Sequence, residues 1–519
     1  MLKKLPPFSL ILVGLVALLS MSNPAYARSC PGGAGCNDPT FGTDGKVTLM
    51  YPDIVPSTSR MATASQKPTP KPSPTPTPSP TPAPGCAVGS GNTNWWIGAG
   101  GLDPSFGSGG IVMTDVGGPA SSVDGVRELL VQPDGKVITI GAVRNSIGAI
   151  DNIITRYTNA GALDTGDGTA ENPGFGDADA ANPGRRLGYT TVSLPGDVET
   201  PQGGILDANG NILIIAYYNI KMARLTPTGQ LDTTFGNGGT IEHVIVGDRF
   251  DAANAAYDSS GRILVAGAEP GFKVARFNSD GSLDTTFGSG GSVTHNITGA
   301  KRGRNAASTV AIQWVDGTER IVLAGSSSSG PSAPSTYALM RFTNAGAVDT
   351  TFGNNGVVLT NFYSTGDAIR DIAIDSLNRI VAVGNTTKCG GLLDASFARY
   401  LPSGALDTSF SDDGKFSQDI YARNNSAWSV AIQSDDKIVT GGYAATASNG
   451  NDFTVTRLNA DGTPDPFFGP GTLGAGIVAT DLDNTTNLGR SIAIAPDGSI
   501  VLGGNGGIGY GSMVARYLP

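Results

Sequence analysis

The ten residues "LDTTFGNGGT" at 231–240 return almost unchanged at 283–292 as "LDTTFGSGGS". Looser copies place their phenylalanine at Phe106, Phe352, Phe410 and Phe468, and a copy interrupted by an insertion surrounds Phe175. Two further motifs cycle with this one. A turn followed by an apolar run appears as "QPDGKVITIGA" at 132, "DANGNILIIA" at 207, "DSSGRILVAGA" at 258, "VDGTERIVLAGS" at 315, "DSLNRIVAVGN" at 375, "QSDDKIVTGGY" at 433 and "APDGSIVLGGN" at 495. An arginine motif follows at Arg156, Arg224, Arg276, Arg341, Arg399, Arg457 and Arg516. Each motif occurs seven times. Internal repetition at this period overrides any estimate of domain number from chain length.

The unbroken phenylalanine spacings are 52, 65, 58 and 58 residues. That is more than two strands need and less than a domain. Within each unit, apolar residues alternate over short runs closed by turn residues, the mark of short antiparallel strands. "GKFSQDI", "SVAIQ", "KIVTGG" and "FTVTRLN" show four such runs around blade-sized spacing, and helical periodicity is nowhere evident. A four-stranded unit buries neither face alone, so its copies must stack. Radial stacking into a seven-bladed β-propeller does this and leaves only short, protected edges. A linear solenoid is the rival, but its coils are shorter and need capping ends.

The phase of the repeat supplies a closure. With the hairpin strands named a and b, the arginine strand c and the strand after the phenylalanine d, the array opens on a d strand, "GIVMTDVG" at 110–117. It ends on a c strand, "SMVARYLP" at 512–519. Pairing these two makes one blade from both chain ends and removes two sheet edges. In six units the arginine precedes the motif aspartate by eight residues, from Arg156 and Asp164 to Arg457 and Asp465; Arg516 has no follower and Asp103 no predecessor, and ring closure pairs them. A charge pair, a plugging phenylalanine and turn glycines that recur in every unit read as packing, since an active site needs asymmetry.

These motifs, "ARFNSDGSLDTTFGSGG" at 275–291 above all, resemble the delta-60 repeat family of bacterial secreted β-propellers over residues 102–519, with the insertion at 163–193 as the departure. The resemblance implies a propeller and export, and brings no catalytic residue with it.

The ends of the chain read differently. Lys3 and Lys4, an apolar run from Phe8 to Leu19 and Ala25-Tyr26-Ala27 form an export signal over residues 1–27, too short for a comfortable membrane span. The expected mature product is secreted or surface-exposed, without membrane insertion. Residues 28–65 form a short segment carrying an orphan eighth copy, "NDPTFGTDGKV" at 37–47, and residues 66–86 a Pro/Thr/Ser-rich extended tether; the propeller domain spans 101–519. Four cysteines, Cys30, Cys36, Cys86 and Cys389, make no disulfide framework in so long a chain, and Cys30 with Cys36 closes the shortest loop. A net charge of -10 argues against nucleic acid as a partner.

Propellers bind at the channel mouth, where d-to-a and b-to-c loops gather. Counting eight back from each hairpin turn gives Arg127, Gln202, Ala253, Thr309, Arg370, Trp428 and Arg490, a ring that varies from blade to blade. Arg127, Arg370, Arg490 and Trp428, with Lys301, Arg302 and Arg304 in an adjoining loop, make a basic, aromatic mouth on an acidic protein. Arginine forks suit carboxylate or sulfate, and tryptophan stacks on sugar faces. The competing expectation is that Asp124, Asp367 and Asp371 neutralise these arginines.

The two histidines, His243 and His295, stand eight residues after a motif phenylalanine, hence on outer strands at the blade rim, a poor start for a zinc site or a catalytic triad. No cofactor is expected. Calcium is raised by "NADGTPD" and "NSDGSLD", but the full D-x-D-x-D-G pattern is missing and hairpin chemistry accounts for these turns. The sequence therefore points to a secreted, non-catalytic binding or structural propeller for a polysaccharide or protein ligand. The alternative is a glycan-active hydrolase or lyase working at the same mouth.

Overall fold

The computed structural model describes residues 98–519 except 116–124, 145–149, 183, 195–199, 218, 245–249, 269–270, 298–304, 331, 364–365, 389, 448–449, 470–472 and 507–510. The export signal, the orphan copy, the tether and all four cysteines lie outside the described residues.

The repeats fold as seven four-stranded antiparallel blades. Blade 1 runs Val126–Val131, Val137–Arg144, Ile150–Tyr157 and Tyr189–Val192, in that spatial order. The inner strands of blades 2 to 7 are Pro201–Leu206, Asp251–Tyr257, Asn305–Val315, Asp367–Ile374, Asn425–Ile432 and Leu488–Ile494. Each packs against the inner strand of the next blade, and that of blade 7 packs against that of blade 1. Bridges from Ala268 and from Gly271 to Ala306 also join blades 3 and 4.

Because blades stack face to face, the middle strands are buried on both sides and read as continuous apolar runs rather than alternating ones. Ile212–Ala216, "ILIIA", is buried throughout, whereas the outer strand of the same blade, Thr240–His243, is half exposed. Among the described residues the core is accordingly divided into seven large clusters, each built from two consecutive blades, and one small one of Ile420, Ala444 and Ile477. Phe106, Phe175, Phe235, Phe287, Phe352, Phe410 and Phe468 are fully buried within or beside them.

The closure predicted from phase is present. Ile111–Thr114 pairs with Ser512–Tyr517 with Val112 opposite Val514, and Leu102 bridges Tyr517. The Arg516 guanidinium crosses the seam to Asp103 at 2.6 Å. The other six staples, Arg156–Asp164 to Arg457–Asp465, are 2.7–2.8 Å long, and each guanidinium lies 4.4–4.9 Å over its motif phenylalanine. The same arginines reach across to the following blade: Arg156 donates to the Pro227 carbonyl at 2.5 Å and Arg516 to that of Asn159 at 2.6 Å. Seven backbone bonds repeat this link, from Gly107 N to Ala160 O (2.8 Å) round to Gly469 N to Ala99 O (3.0 Å). The motif is thus an inter-blade joint. Its turn glycine is needed twice over: Gly281 has φ +87°, and a Cβ there would strike the Phe235 ring of the preceding blade.

The insertion at 163–193 does not spoil its blade. Asp164 still meets Arg156, and the intervening residues loop out so that Phe175 N donates to the Asp164 carbonyl at 2.8 Å, the bond Phe235 N makes to Asp232 without an insertion.

Candidate functional site at the channel mouth

Every inner strand carries a β-bulge near its start, where the pairing register skips one residue. The skipped residues are Arg127, Gln202, Ala253, Ser308, Arg370, Trp428 and Arg490. Bulges re-aim a side chain out of the pleat, and here they lift one residue per blade at the mouth. Six of the seven match the ring counted from sequence. In blade 4 the lifted residue is Ser308, not Thr309, because its hairpin is a tight two-residue turn, Asp316-Gly317, with both φ positive and the register one residue longer.

The bulge has a sequence signature that counting alone misses. Opposite it on the second strand stands a glycine, Gly141, Gly267, Gly325, Gly384, Gly442 or Gly504, in every blade except the second, where it is Ala216. At Gly325, Gly384, Gly442 and Gly504 a Cβ would overlap a carbonyl oxygen of the inner strand, that of Ala306, Ala368, Ser426 and Leu488 respectively. The glycine that "VLAGS", "VAVGN" and "VTGGY" share is there because the bent inner strand leans on it.

One residue beyond the bulge in every blade but the second, where Gly203 stands, lies a buried polar belt: Glu128, Asn254, Thr309, Asp371, Ser429 and Ser491. Ser491 donates to Glu128 at 2.6 Å across the blade 7 to blade 1 junction. Thr309 and Ser429 donate to the two oxygens of Asp371, at 3.2 and 3.1 Å, from the blades on either side. Sequence reasoning overlooked this belt, because isolated serines and threonines inside strands carry no motif.

The lifted residues divide the mouth. Blades 5, 6, 7 and 1 supply Arg370, Trp428, Arg490 and Arg127; blades 2, 3 and 4 supply Gln202, Ala253 and Ser308. Gln202 bonds only locally, to the Thr200 carbonyl at 3.4 Å. Trp428 draws a guanidinium from each neighbouring blade, Arg490 at 4.0 Å and Arg370 at 4.7 Å from the ring centroid, with Tyr443 at 6.5 Å on the same blade. The indole's first role is therefore to hold two cations by cation–π attraction, and its face is less open to a sugar than the sequence suggests. Arg370 Nε also donates to Asn385 at 3.3 Å.

The expected neutralisation does not come from Asp367 or Asp371. Asp371 accepts from Thr309, Ser429 and the Val430 amide, and Asp367 from Thr386 and the Phe362 amide. Among the described residues, Arg127, Arg370 and Arg490 enter no salt bridge. Asp124, Lys301, Arg302 and Arg304 lie outside the described residues. Burial, then the charge of Arg127 and more weakly that of Arg370, pushes the Arg490 guanidinium down to about 10; burial also lowers Arg127 and Arg370. Two buried donors in this cluster, Trp428 Nε1 and Arg490 Nε, have no hydrogen-bond acceptor among the described residues. Among the described residues, like charges are thus crowded beside N–H groups that lack an acceptor.

His243 and His295 end the outer strands Thr240–His243 and Ser292–His295. His243 meets Phe277 edge-on at 5.7 Å in a groove of about 420 Å³ between blades 2 and 3, lined by Asn237, Thr240, Glu242 and Leu283 among others. Burial lowers both histidines, and no group of three or more His, Cys, Asp or Glu side chains converges among the described residues.

No curated protein matches the chain. Among solved structures, an ulvan lyase of a polysaccharide lyase family (PL25), bound to -[GlcA(1-4)Rha3S]-, is 12% identical, with 82% of this chain and 95% of that one covered and a TM-score of 0.41. The PQQ-bound aldose sugar dehydrogenase of Streptomyces coelicolor is 12% identical over 61% of this chain and 93% of its own, with a TM-score of 0.34. These likenesses are distant. Residues 132–166, 208–235, 259–287, 319–352, 378–410 and 433–468 match the model of a domain of unknown function, the DUF5122 β-propeller. Each match runs from a first hairpin turn toward the phenylalanine motif in blades 1 to 6, and the seventh unit is the one divided between the chain ends. DUF5122 β-propeller repeats are thus found in six of the seven units, which places these units in a propeller repeat family.

Proposed function

We propose that the chain is a secreted, non-catalytic binding propeller of the delta-60 kind, whose mouth holds an acidic ligand through Arg370, Arg490 and Arg127. The observation that carries this reading is the cluster itself: among the described residues, two guanidinium groups lie over Trp428, the charge of Arg127 acts on one of them, two buried N–H donors lack acceptors, and no carboxylate stands in ion-pair reach. A carboxylate or sulfate ester on a polysaccharide, or an acidic protein surface, supplies the missing acceptors. A binding rather than a catalytic role is supported by the placement of both histidines on the blade rim and by the structural use of the repeated acids. Tethering by the proline-rich segment and export by residues 1–27 complete the proposal.

The test is an array of acidic and neutral glycans probed with the wild-type chain and with R127Q/R370Q/R490Q, followed by product analysis on every hit. Binding confined to acidic glycans and lost in the triple variant, with no shortened product, supports the reading. Equal binding by both proteins sinks the site, and released oligosaccharide or unsaturated product moves the protein to the hydrolase or lyase alternative.

A further inference from the structure

Blades 5 and 6 contain the same pair of acids at the same register. In blade 5, Ala395 pairs with Gln418, so the preceding residue Asp394 faces Asp419. In blade 6, Phe453 pairs with Thr480, so Asp452 faces Asp481. Like charges on opposed positions of neighbouring strands repel at close range. Blade 5 resolves this with its own cation: the Lys388 ammonium meets Asp394 directly and stands 3.7 Å from Asp419.

In blade 6 the residue equivalent to Lys388 is Thr446. The correspondence is fixed by backbone geometry, since Lys388 N donates to the Leu392 carbonyl (2.9 Å) as Thr446 N donates to that of Gly450 (2.7 Å), each at the same distance from its strand's bulge-facing glycine. Asp452 is 7% exposed, and its Oδ1 has no hydrogen-bond partner among the described residues. Burial, and then the charge of Asp481, pushes the Asp452 carboxyl up to about 6. Its charge also reaches the phenols of Tyr421 and Tyr517, opposing their ionisation. The pair thus keeps the acids of its sister and has lost the lysine.

We propose that Asp452 and Asp481 form a calcium site at the outer edge of blade 6, in which a divalent cation takes the place of the lysine ammonium of blade 5. Calcium suits it because its ligands are carboxylate oxygens and because a flexible coordination shell completes itself from carbonyls and water. Among the described residues no third acidic side chain joins the pair, so the affinity belongs to the weak extracellular class, with a dissociation constant on the order of 10⁻⁴–10⁻³ M. The site is independent of the arginine mouth.

The experiment is calcium titration of the full chain by calorimetry, paired with thermal unfolding in CaCl2, MgCl2 and NaCl at matched ionic strength. One calcium per chain and a melting temperature that climbs with calcium above the dissociation constant are expected. Asp452→Asn should weaken binding at least about tenfold, since it removes one of two charged ligands. Thr446→Lys, which keeps both acids and restores the ammonium, should fold with a raised melting temperature in calcium-free buffer and lose the calcium response. Failure to bind calcium at about 10 mM, well above the expected range, overturns the proposal. So does a calcium response of equal size in wild type, D452N and T446K.

Discussion

Asp103→Ala isolates what holds the ring shut. Asp103 accepts from Arg516 Nε at 2.7 Å and NH2 at 2.6 Å, and from the amide and hydroxyl of Ser105 at 2.9 and 2.7 Å. Both side chains of the ion pair are at most 10% exposed. Removing one partner of a buried pair typically costs about 3–5 kcal/mol, because the other charge is left uncompensated. Arg516 keeps its bond to the Asn159 carbonyl and its place over Phe106, which moves the expectation to the lower end, about 3 kcal/mol. At about 1.4 kcal/mol per decade, that is roughly a hundredfold rise in the opening of the seam. Hydrogen exchange should report it first at the paired amides of Ile111–Thr114 and Ser512–Tyr517, because local opening precedes global unfolding. The control is Asp284→Ala, which breaks the equivalent staple with Arg276 at 2.8 Å in mid-chain and should leave seam exchange unchanged. A loss below about 1 kcal/mol, with unaltered exchange at the seam, would place the pair with solvent-exposed bridges and refute the argument that staples close the ring.

Acid should loosen the joints made by Asp103, Asp232, Asp284, Asp349 and Asp407. At Asp103, Asp232, Asp349 and Asp407 burial raises the carboxyl, but hydrogen bonds from the hydroxyl and amide two residues on, together with the arginine, outweigh it and hold the group below its usual range; at Asp284 the Thr286 hydroxyl leads. Groups depressed on folding contribute stability that is complete above the unfolded carboxylate range, about 4, and is lost as pH falls through the lower folded values, so the difference in urea midpoint between wild type and a staple variant such as D103A should be constant from pH 8 to about pH 5 and shrink below about pH 4. Gly384→Ala should lower the urea midpoint by the equivalent of about 1–3 kcal/mol or more, since its Cβ meets the Ala368 carbonyl. Gly290→Ala, with φ +64° and nothing within reach of a Cβ, should cost only the backbone strain of about 1–2 kcal/mol. Phe235→Ala, in a fully buried plug, should cost about 3–5 kcal/mol, and a surface-like cost of a few tenths would contradict its packing role.

The architecture was legible because its determinants are local and repeated. Arg516 without a following aspartate and Asp103 without a preceding arginine announced a circular closure that the structure shows. What the sequence hid depends on register. The bulge that lifts Arg127 and Arg370 follows from the glycine opposite, and that glycine is recognised only once the strands are paired. Ser308 was displaced by one because blade 4 alone turns through two residues. The belt of Glu128, Thr309 and Asp371 joins different blades, so no spacing along the chain marks it. The covering of Trp428 by Arg490 and Arg370 likewise joins residues 58 and 62 positions away. Asp452 and Asp481 stand opposite one another only in the folded sheet, and their significance rests on comparison with Lys388 in the next blade.

The most direct test of the mouth is a crystal structure of the chain soaked with an acidic oligosaccharide taken from the glycan array. The account predicts a carboxylate or sulfate within hydrogen-bond distance of Arg490 Nε and Trp428 Nε1, flanked by Arg370 and Arg127. Density for the ligand in the groove beside His243 and Phe277, with the arginine cluster unaltered, would contradict it.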